Sequence, residues 1–207
     1  MKYIYEFIGT FFLVFTVGMT VTEPHSAGIL APLAIGSVLA VMVFAGGHVS
    51  GGHYNPAVSF AVFLRGKLSS EDLWRYWIVQ LVAGVVAGYL TIYYKGYPTQ
   101  PALSLETFKA FLAEFLFTLA LCYVVLNVAI AKGTKGNSFY GFAIGFTVLA
   151  GAYAVGAISG AAFNPAVALG ITIMQLSAWS NLWVFFLANL LGGACAALIF
   201  KGADQKA

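Results

Sequence analysis

The sequence predicts an all-α membrane protein with six transmembrane helices and two re-entrant half-helices, arranged as an inverted repeat. Hydrophobic residues make up 61% of the 207 residues and charged residues only 8%. In soluble domains roughly 45–50% of residues are apolar and roughly 25% are charged. Six apolar stretches approach the ~20 residues that a helix needs to cross a bilayer. The motif Asn-Pro-Ala-Val also occurs twice, at Asn55 and at Asn164, each time at the start of a shorter apolar run.

The six predicted spans lie at about residues 4–22, 28–45, 73–94, 108–131, 138–157 and 180–200. Glu6 interrupts the apolar part of the first span, and no small-residue cleavage pattern follows before Pro24. We therefore expect this span to be retained rather than removed as a signal peptide. Cys122 and Cys195 fall inside spans, so we expect them to pack in the core and to form neither a disulfide framework nor a metal site.

Two further apolar runs, Pro56–Leu64 and residues 165–176, are too short to cross a membrane. At the helical rise they reach only ~14–18 Å, about half the bilayer. Proline is favoured at the first position of a helix, and asparagine just before it is a strong N-cap. The pattern predicts two short helices that begin near the midplane, where irregular backbone is tolerated only if protein buries it or water lines it.

The two halves of the chain resemble each other over nearly their whole length. Residues 33–58 align with residues 142–167, LWRYWIVQ at 73–80 aligns with LWVFFLAN at 182–189, and EFIGT at 6–10 answers EFLFT at 114–118. We interpret residues 1–207 as one domain, with repeat one at about 1–95 and repeat two at about 104–203. Each repeat has three spans, an odd number, so the second repeat enters the membrane inverted.

The basic residues predict that both termini lie in the cytoplasm. That orientation leaves two basic residues outside, Lys95 and Lys109, as the positive-inside rule favours. The others lie inside: Lys2, Arg65, Lys67, Arg75, Lys132, Lys135, Lys201 and Lys206. We expect a multi-pass protein of the cell (inner) membrane, and the net charge of +3 reflects topology rather than a nucleic-acid surface.

The paired Asn-Pro-Ala motifs suggest a route for neutral solutes between the two half-helices. Each asparagine oxygen can accept a hydrogen bond from its own helix, which turns the amide donors toward the space between the helices. Each helix N-terminus also carries roughly half a positive elementary charge. Together they would offer donors to a passing oxygen atom and repel cations. A single Asn-Pro could merely cap a helix, but two at matching repeat positions favour the pore.

The paired motifs, GHVSGGHYNPAV and SGAAFNPAV, and the glutamates Glu6 and Glu114 that begin the first and fourth spans resemble the aquaporin, or major intrinsic protein, family. The resemblance implies a homotetramer in the lipid bilayer, with one pore per subunit that passes water and small neutral solutes. It implies no catalysis, no cofactor and no metal. The pore motifs would be Asn55, Pro56, Ala57, Asn164, Pro165 and Ala166.

The sequence departs from the family pattern at the narrow selectivity filter. Family members usually carry an arginine three residues after the second motif asparagine, but this chain has Val167. By the same resemblance the other filter positions are Ile35, Ala152 and Ala161. We expect a wide, apolar filter that admits solutes larger than water, such as polyols, urea, ammonia or neutral metalloid acids.

Several side chains outside the filter are expected at the pore or beside it. The resemblance places His53 in the pore lining, and it gives Glu6 and Glu114 the task of supporting the two re-entrant loops. Gln80 and Asn189 could serve similarly. We expect His48 and Ser50 within the first re-entrant loop, bonded to its backbone.

Two other classes of function stay open at this point. An alternating-access secondary transporter can share inverted repeats and broken helices. A non-conducting structural membrane protein would also fit the composition, although the intact asparagine pair argues against it. Flux that rises linearly with the gradient, without ion dependence, would favour a channel over a transporter.

Overall fold

Eight α-helices build the protein in a computed structural model that describes residues 1–99 and 101–204. Lys206, which was predicted to lie in the cytoplasm, is outside the described residues. The helices are α1 (Lys2–Val21), α2 (Ala31–Ser50), α3 (Pro56–Leu64), α4 (Ser70–Lys95), α5 (Thr107–Val125), α6 (Tyr140–Ser159), α7 (Pro165–Ile173) and α8 (Leu182–Asp204).

Six segments of the described chain are long and apolar enough to span a membrane, as predicted. They contain α1, α2, α4, α5, α6 and α8. The predicted end of the second span was wrong, because α2 continues to Ser50 and stops only where Gly51 takes a left-handed conformation with φ 91°. His48 and Ser50 therefore belong to this helix rather than to the re-entrant loop. A π-helical turn, Leu126–Ile130, extends α5.

The two half-helices have the predicted starts, and both are 9 residues long. Asn55 and Asn164 are the N-caps, each in extended conformation and each followed by proline. The helix α3 spans Pro56–Leu64, as expected. The helix α7 ends at Ile173 instead of residue 176, because Gln175 adopts φ 60° and the amides of Leu176 and Ser177 bond back to the carbonyl oxygen of Ile171.

The two halves interlock through their half-helices. The helix α3 of the first half packs on α8 of the second, and α7 packs on α4 of the first. At α2 and α6 the halves meet through Gly36 and Gly145, where a Cβ on Gly145 would lie 2.3 Å from the carbonyl oxygen of Gly36. Such close backbone contact through small residues is typical of helix pairs in membranes. The halves therefore surround one common centre.

Candidate functional site

A fully buried carboxylate anchors the loop between α2 and α3. Glu6 on α1 has no exposed surface. Its Oε1 accepts hydrogen bonds from Ser50 Oγ at 2.7 Å and from the His53 amide at 2.9 Å. Its Oε2 accepts from the Tyr54 amide at 2.7 Å and from Gln80 Nε2 at 2.9 Å. Four donors offset the desolvation of this buried group.

Glu114 on α5 repeats this arrangement in the second half with the same distances. Its Oε1 accepts from Ser159 Oγ at 2.7 Å and from the Ala162 amide at 2.9 Å. Its Oε2 accepts from the Phe163 amide at 2.7 Å and from Asn189 Nδ2 at 2.9 Å. Both glutamates therefore bond to a helix end, to two loop amides and to a side-chain amide, and neither side chain lines the central cavity.

These bonds hold the loop backbone in a strained conformation. Tyr54 and Phe163, at matching positions, have φ of 50° and 47°, and Ala161 has φ 52°. A left-handed conformation costs roughly 1–2 kcal/mol for a residue with a side chain. The carboxylates accept the amide hydrogens of Tyr54 and Phe163, so the loop geometry is fixed where the chain turns into each half-helix.

The two asparagines join the half-helices at their N-termini. Asn55 Oδ1 accepts from the Ala57 amide at 2.8 Å, and Asn164 Oδ1 accepts from the Ala166 amide at 2.9 Å. Asn55 Nδ2 donates to the carbonyl oxygen of Phe163 at 2.9 Å. Asn164 Nδ2 donates to that of Tyr54 at 2.8 Å. Each amide group thus uses one of its two hydrogens across the junction and keeps the second for other acceptors.

Glycines on the long helices receive the tips of the half-helices. A Cβ on Gly84 of α4 would lie 2.6 Å from the carbonyl oxygen of Ala166, and one on Gly193 of α8 would lie 2.7 Å from that of Ala57. Ala57 and Ala166 are completely buried. The alanine and proline of each motif are therefore packing residues of the junction, outside the lining of the cavity.

A cavity of about 750 Å³ extends from the asparagine junction to the end of the molecule where α1 stops and α4 connects to α5. Its walls include Asn55, Asn164, His53 and the four positions expected to form the filter, Ile35, Ala152, Ala161 and Val167. The rest of the wall is mainly aliphatic. Among the described residues that line it, Glu23 at the outer end is the one with a carboxylate side chain, and His53 is the one with a basic side chain.

Comparison with known proteins identifies the family of this fold and site. The family model described as "Major intrinsic protein" matches residues 1–200. The chain belongs to the major intrinsic protein family. Like other members of this family, it is a channel for water and small solutes rather than an enzyme.

This family member is similar to several plant aquaporins. It is 38% identical to "Aquaporin TIP1-2" of Musa acuminata, over 95% of this chain and 84% of the relative. It is 32% identical to "Nodulin-26" of Glycine max, over 97% of this chain and 76% of the relative. Among solved structures, the aquaglyceroporin from Plasmodium falciparum has a TM-score of 0.79 at 22% identity, over 96% of this chain and 94% of that one. The last likeness concerns the fold.

The structure of this family member also contains polar contacts that sequence reasoning missed. Ser59 on α3 bonds both to His53 and to Gln80, and its partner position in the second half is Ala168. Tyr54 lies over Gly9, where a Cβ would be 2.2 Å from its ring, and its hydroxyl donates to the carbonyl oxygen of Met42. The difference between Ser59 and Ala168 was visible in the repeat alignment, whereas the position of Tyr54 was not.

Proposed function

We propose that this channel passes water and uncharged solutes larger than water, by diffusion through the cavity between the half-helices. The observation that supports this most directly is the composition of the expected filter. Ile35, Ala152, Ala161 and Val167 line the same cavity as Asn55 and Asn164, and none of the four has a polar side chain. Polyols, urea, ammonia and neutral metalloid acids are the proposed solutes.

The physical reason is that this filter selects by width and not by hydrogen bonding. A side chain at the filter that donates hydrogen bonds replaces part of the hydration shell of water and so favours it. Two alanines leave room where a narrow filter would hold large side chains. Aliphatic walls also do not compensate an ion for lost hydration, which costs an isolated charge far more than a neutral solute.

Cation exclusion is assigned to the junction, because Val167 provides no fixed charge. The N-termini of α3 and α7 meet there, each with roughly half a positive charge. The remaining amide hydrogens of Asn55 and Asn164 offer donors to a passing oxygen atom and no acceptor to a cation. These contacts support a pore role for the asparagines, with Glu6 and Glu114 as supports of the loops.

Reconstituted proteoliposomes test the proposal. Stopped-flow light scattering should detect swelling with water, glycerol, urea, ammonia and a neutral metalloid acid, at rates linear in the gradient and independent of Na⁺ and H⁺ gradients. Saturation or ion coupling would indicate a transporter instead. Absence of swelling with every one of these solutes, from protein that is folded and inserted, would contradict conduction altogether.

Two substitutions at one position separate charge from size. Val167→Arg should reduce the passage of glycerol and urea by at least about tenfold, because its longer side chain narrows the filter. It should also lower any leak of Na⁺ or protons, because it adds a positive charge there. Val167→Leu adds bulk without charge, so it should slow the larger solutes and leave the cation leak unchanged. Equal glycerol and urea permeability in wild type and Val167→Arg would contradict the proposed role of the filter.

We further propose a homotetramer in the cell membrane with both termini in the cytoplasm. Exposed apolar side chains such as Leu33 and Val41 on α2 and Leu112 and Leu116 on α5 are consistent with cover by lipid or by other copies. Arg65 and Lys135 lie in connections on the proposed cytoplasmic side. Native mass spectrometry from nanodiscs would measure the copy number, and protease access to a terminal tag in sealed vesicles would test the orientation.

A further inference from the structure

We infer that Ser59 and Gln80 fix the proton of His53 on Nε2, so that this side chain presents a hydrogen-bond donor to the conducted solute. The inference rests on the proposed route past His53. It adds a positioning pair, Ser59 and Gln80, to the site described above. One buried chain of contacts, from Glu6 to the cavity, determines where each hydrogen lies.

The amide of Gln80 has one orientation that satisfies its neighbours. Gln80 has no exposed surface, and its Nε2 donates to Glu6 Oε2 at 2.9 Å and to Ser59 Oγ at 3.0 Å. Rotating the amide would place its oxygen against a carboxylate oxygen that already accepts from Tyr54. The cost of the present orientation is that Gln80 Oε1 lacks a hydrogen-bond partner. Both hydrogens of the Gln80 amide are therefore committed.

The hydroxyl of Ser59 must then accept from Gln80 and donate elsewhere. Its other hydrogen-bond contact in the described chain is His53 Nδ1, at 3.0 Å. Several other buried hydroxyls bond to the carbonyl oxygen four residues earlier, as Thr91 and Thr172 do, but Ser59 makes no such bond in the described structure. Since its proton goes to His53, the Nδ1 atom is an acceptor, and a neutral imidazole then carries its hydrogen on Nε2.

The position of the ring directs that hydrogen toward the cavity. His53 lines the cavity wall, and Tyr76 packs edge-on against its ring with centroids 5.2 Å apart. In the described chain no protein group bonds to Nε2, and this atom is not among the buried atoms that lack a partner. The Nε2 hydrogen is thus available to an oxygen atom in the cavity that Asn55 and Asn164 also line.

The described residues of the second half form no equivalent chain of contacts. Ala162 and Ala168 occupy the places of His53 and Ser59. Asn189 is shorter than Gln80, and its second hydrogen goes to Thr118 Oγ1 on α5 at 2.9 Å instead of to the half-helix. The added donor therefore belongs to one side of the junction, and it favours solutes whose oxygen or nitrogen accepts a hydrogen bond there.

Nitrogen NMR of the ¹⁵N-histidine-labelled protein in bilayers tests the inference directly. The chain has three histidines, and His53→Gln identifies the signals of His53 by their loss. At a pH where the ring is neutral, the wild type should show a protonated Nε2 and an unprotonated, hydrogen-bonded Nδ1. A protonated Nδ1 in the wild type would overturn the inference, whether or not any variant folds.

Substitution of Ser59 supplies the second test. Ser59→Ala should shift the ratio of the two tautomers by about fivefold toward protonated Nδ1, the change expected from losing one hydrogen bond of ordinary strength. Ser59→Thr, which keeps the hydroxyl, should restore the wild-type ratio. Thr172→Ala removes a buried hydroxyl from α7 that bonds only its own backbone and should leave the His53 signals unchanged. An unchanged ratio in Ser59→Ala would refute the positioning role.

The swelling assay separates this inference from the proposed function. If the tautomer is as expected and no solute passes, conduction is refuted and the hydrogen-bond assignment stands. If solutes pass and Nδ1 is protonated, conduction stands and the assignment is refuted. With both as expected, Ser59→Ala should also lower solute permeability by about twofold or more, while Thr172→Ala should not.

Discussion

Replacing Gly193 by alanine should disrupt the junction of the half-helices, although the change adds a single methyl group. The new Cβ on α8 would lie 2.7 Å from the carbonyl oxygen of Ala57 in the first turn of α3. An ordinary contact needs about 3.4 Å, so one of the two helices must move by about 0.7 Å. The helix α8 cannot retreat freely, because its neighbour Gly192 is equally close to α5, with a Cβ position 2.6 Å from the carbonyl oxygen of Phe115.

We therefore expect α3 to move, and with it the bond from Asn55 to Phe163. That bond is 2.9 Å long, and a displacement of about 0.7 Å would take it beyond the ~3.2 Å limit of a good hydrogen bond. Overpacking of this kind costs about 1–3 kcal/mol. For a protein of this size the melting temperature should fall by about 2–12 °C. Permeability per channel should fall by about tenfold, since a barrier increase of 1.36 kcal/mol has that effect.

Thermal unfolding in detergent and stopped-flow permeability in proteoliposomes measure the two effects. The matched control is Gly202→Ala on the same helix, where an added Cβ meets nothing within 4 Å. Alanine in a helix is by itself favoured over glycine by roughly 0.5–1 kcal/mol, so the control should be neutral or slightly stabilised. If Gly193→Ala melts at or above the wild-type temperature and conducts normally, the close approach does not constrain the junction.

Three further outcomes follow from the structure. Glu114→Gln should destabilise the protein by about 2–5 kcal/mol in thermal unfolding, since an amide cannot accept from all four donors that surround the carboxylate; unchanged stability would contradict the loop-support role. Tyr54→Phe should cost about 1 kcal/mol through loss of the bond to Met42 and leave permeability intact; a large loss of flux would mean that the hydroxyl acts in the pore. Hydrogen bonds from Ser26 hold the pKa of Glu23 below its usual value of 4.5, so this turn is stabilised at neutral pH and loses that contribution only as pH falls through the lowered pKa. Protection of the Ser26 amide against hydrogen exchange should therefore be constant from neutral pH down to about the usual pKa of a glutamate, and it should fall at lower pH. Glu23→Gln should remove this pH dependence.

The spans and the half-helices could be predicted because the bilayer imposes a length and because Asn-Pro marks a helix start. The start of α3 at Pro56 and of α7 at Pro165 required no tertiary information. The end of α7 did, because the residues after Ile173 remain apolar while the chain leaves the helix at Gln175. The end of α2 was missed for the opposite reason, since the apolar stretch ends near residue 45 while the helix continues to Ser50.

The hydrogen bonds of the candidate site were only partly predictable. The family resemblance and the repeat alignment indicated that Glu6 and Glu114 support the loops, and residue types indicated that each asparagine caps its helix. They did not indicate that each asparagine amide donates to the carbonyl oxygen of the residue that precedes the other asparagine. That bond depends on the distance between two segments far apart in the chain. The sequence pattern fixes which groups can donate, and packing fixes where each hydrogen goes.

The comparison of the two halves also indicates where solute selectivity arises. The groups that hold the scaffold are paired, with equal distances around Glu6 and Glu114, so a change at either is expected to act on folding. One lining residue near the junction and its hydrogen-bond partner are not paired, since His53 and Ser59 correspond to Ala162 and Ala168. A symmetric junction alone would treat a solute in the same way from both sides. We therefore expect His53 and Ser59 to add a one-sided contribution to the selection by width at the filter, and exchanging them with Ala162 and Ala168 should alter which solutes pass.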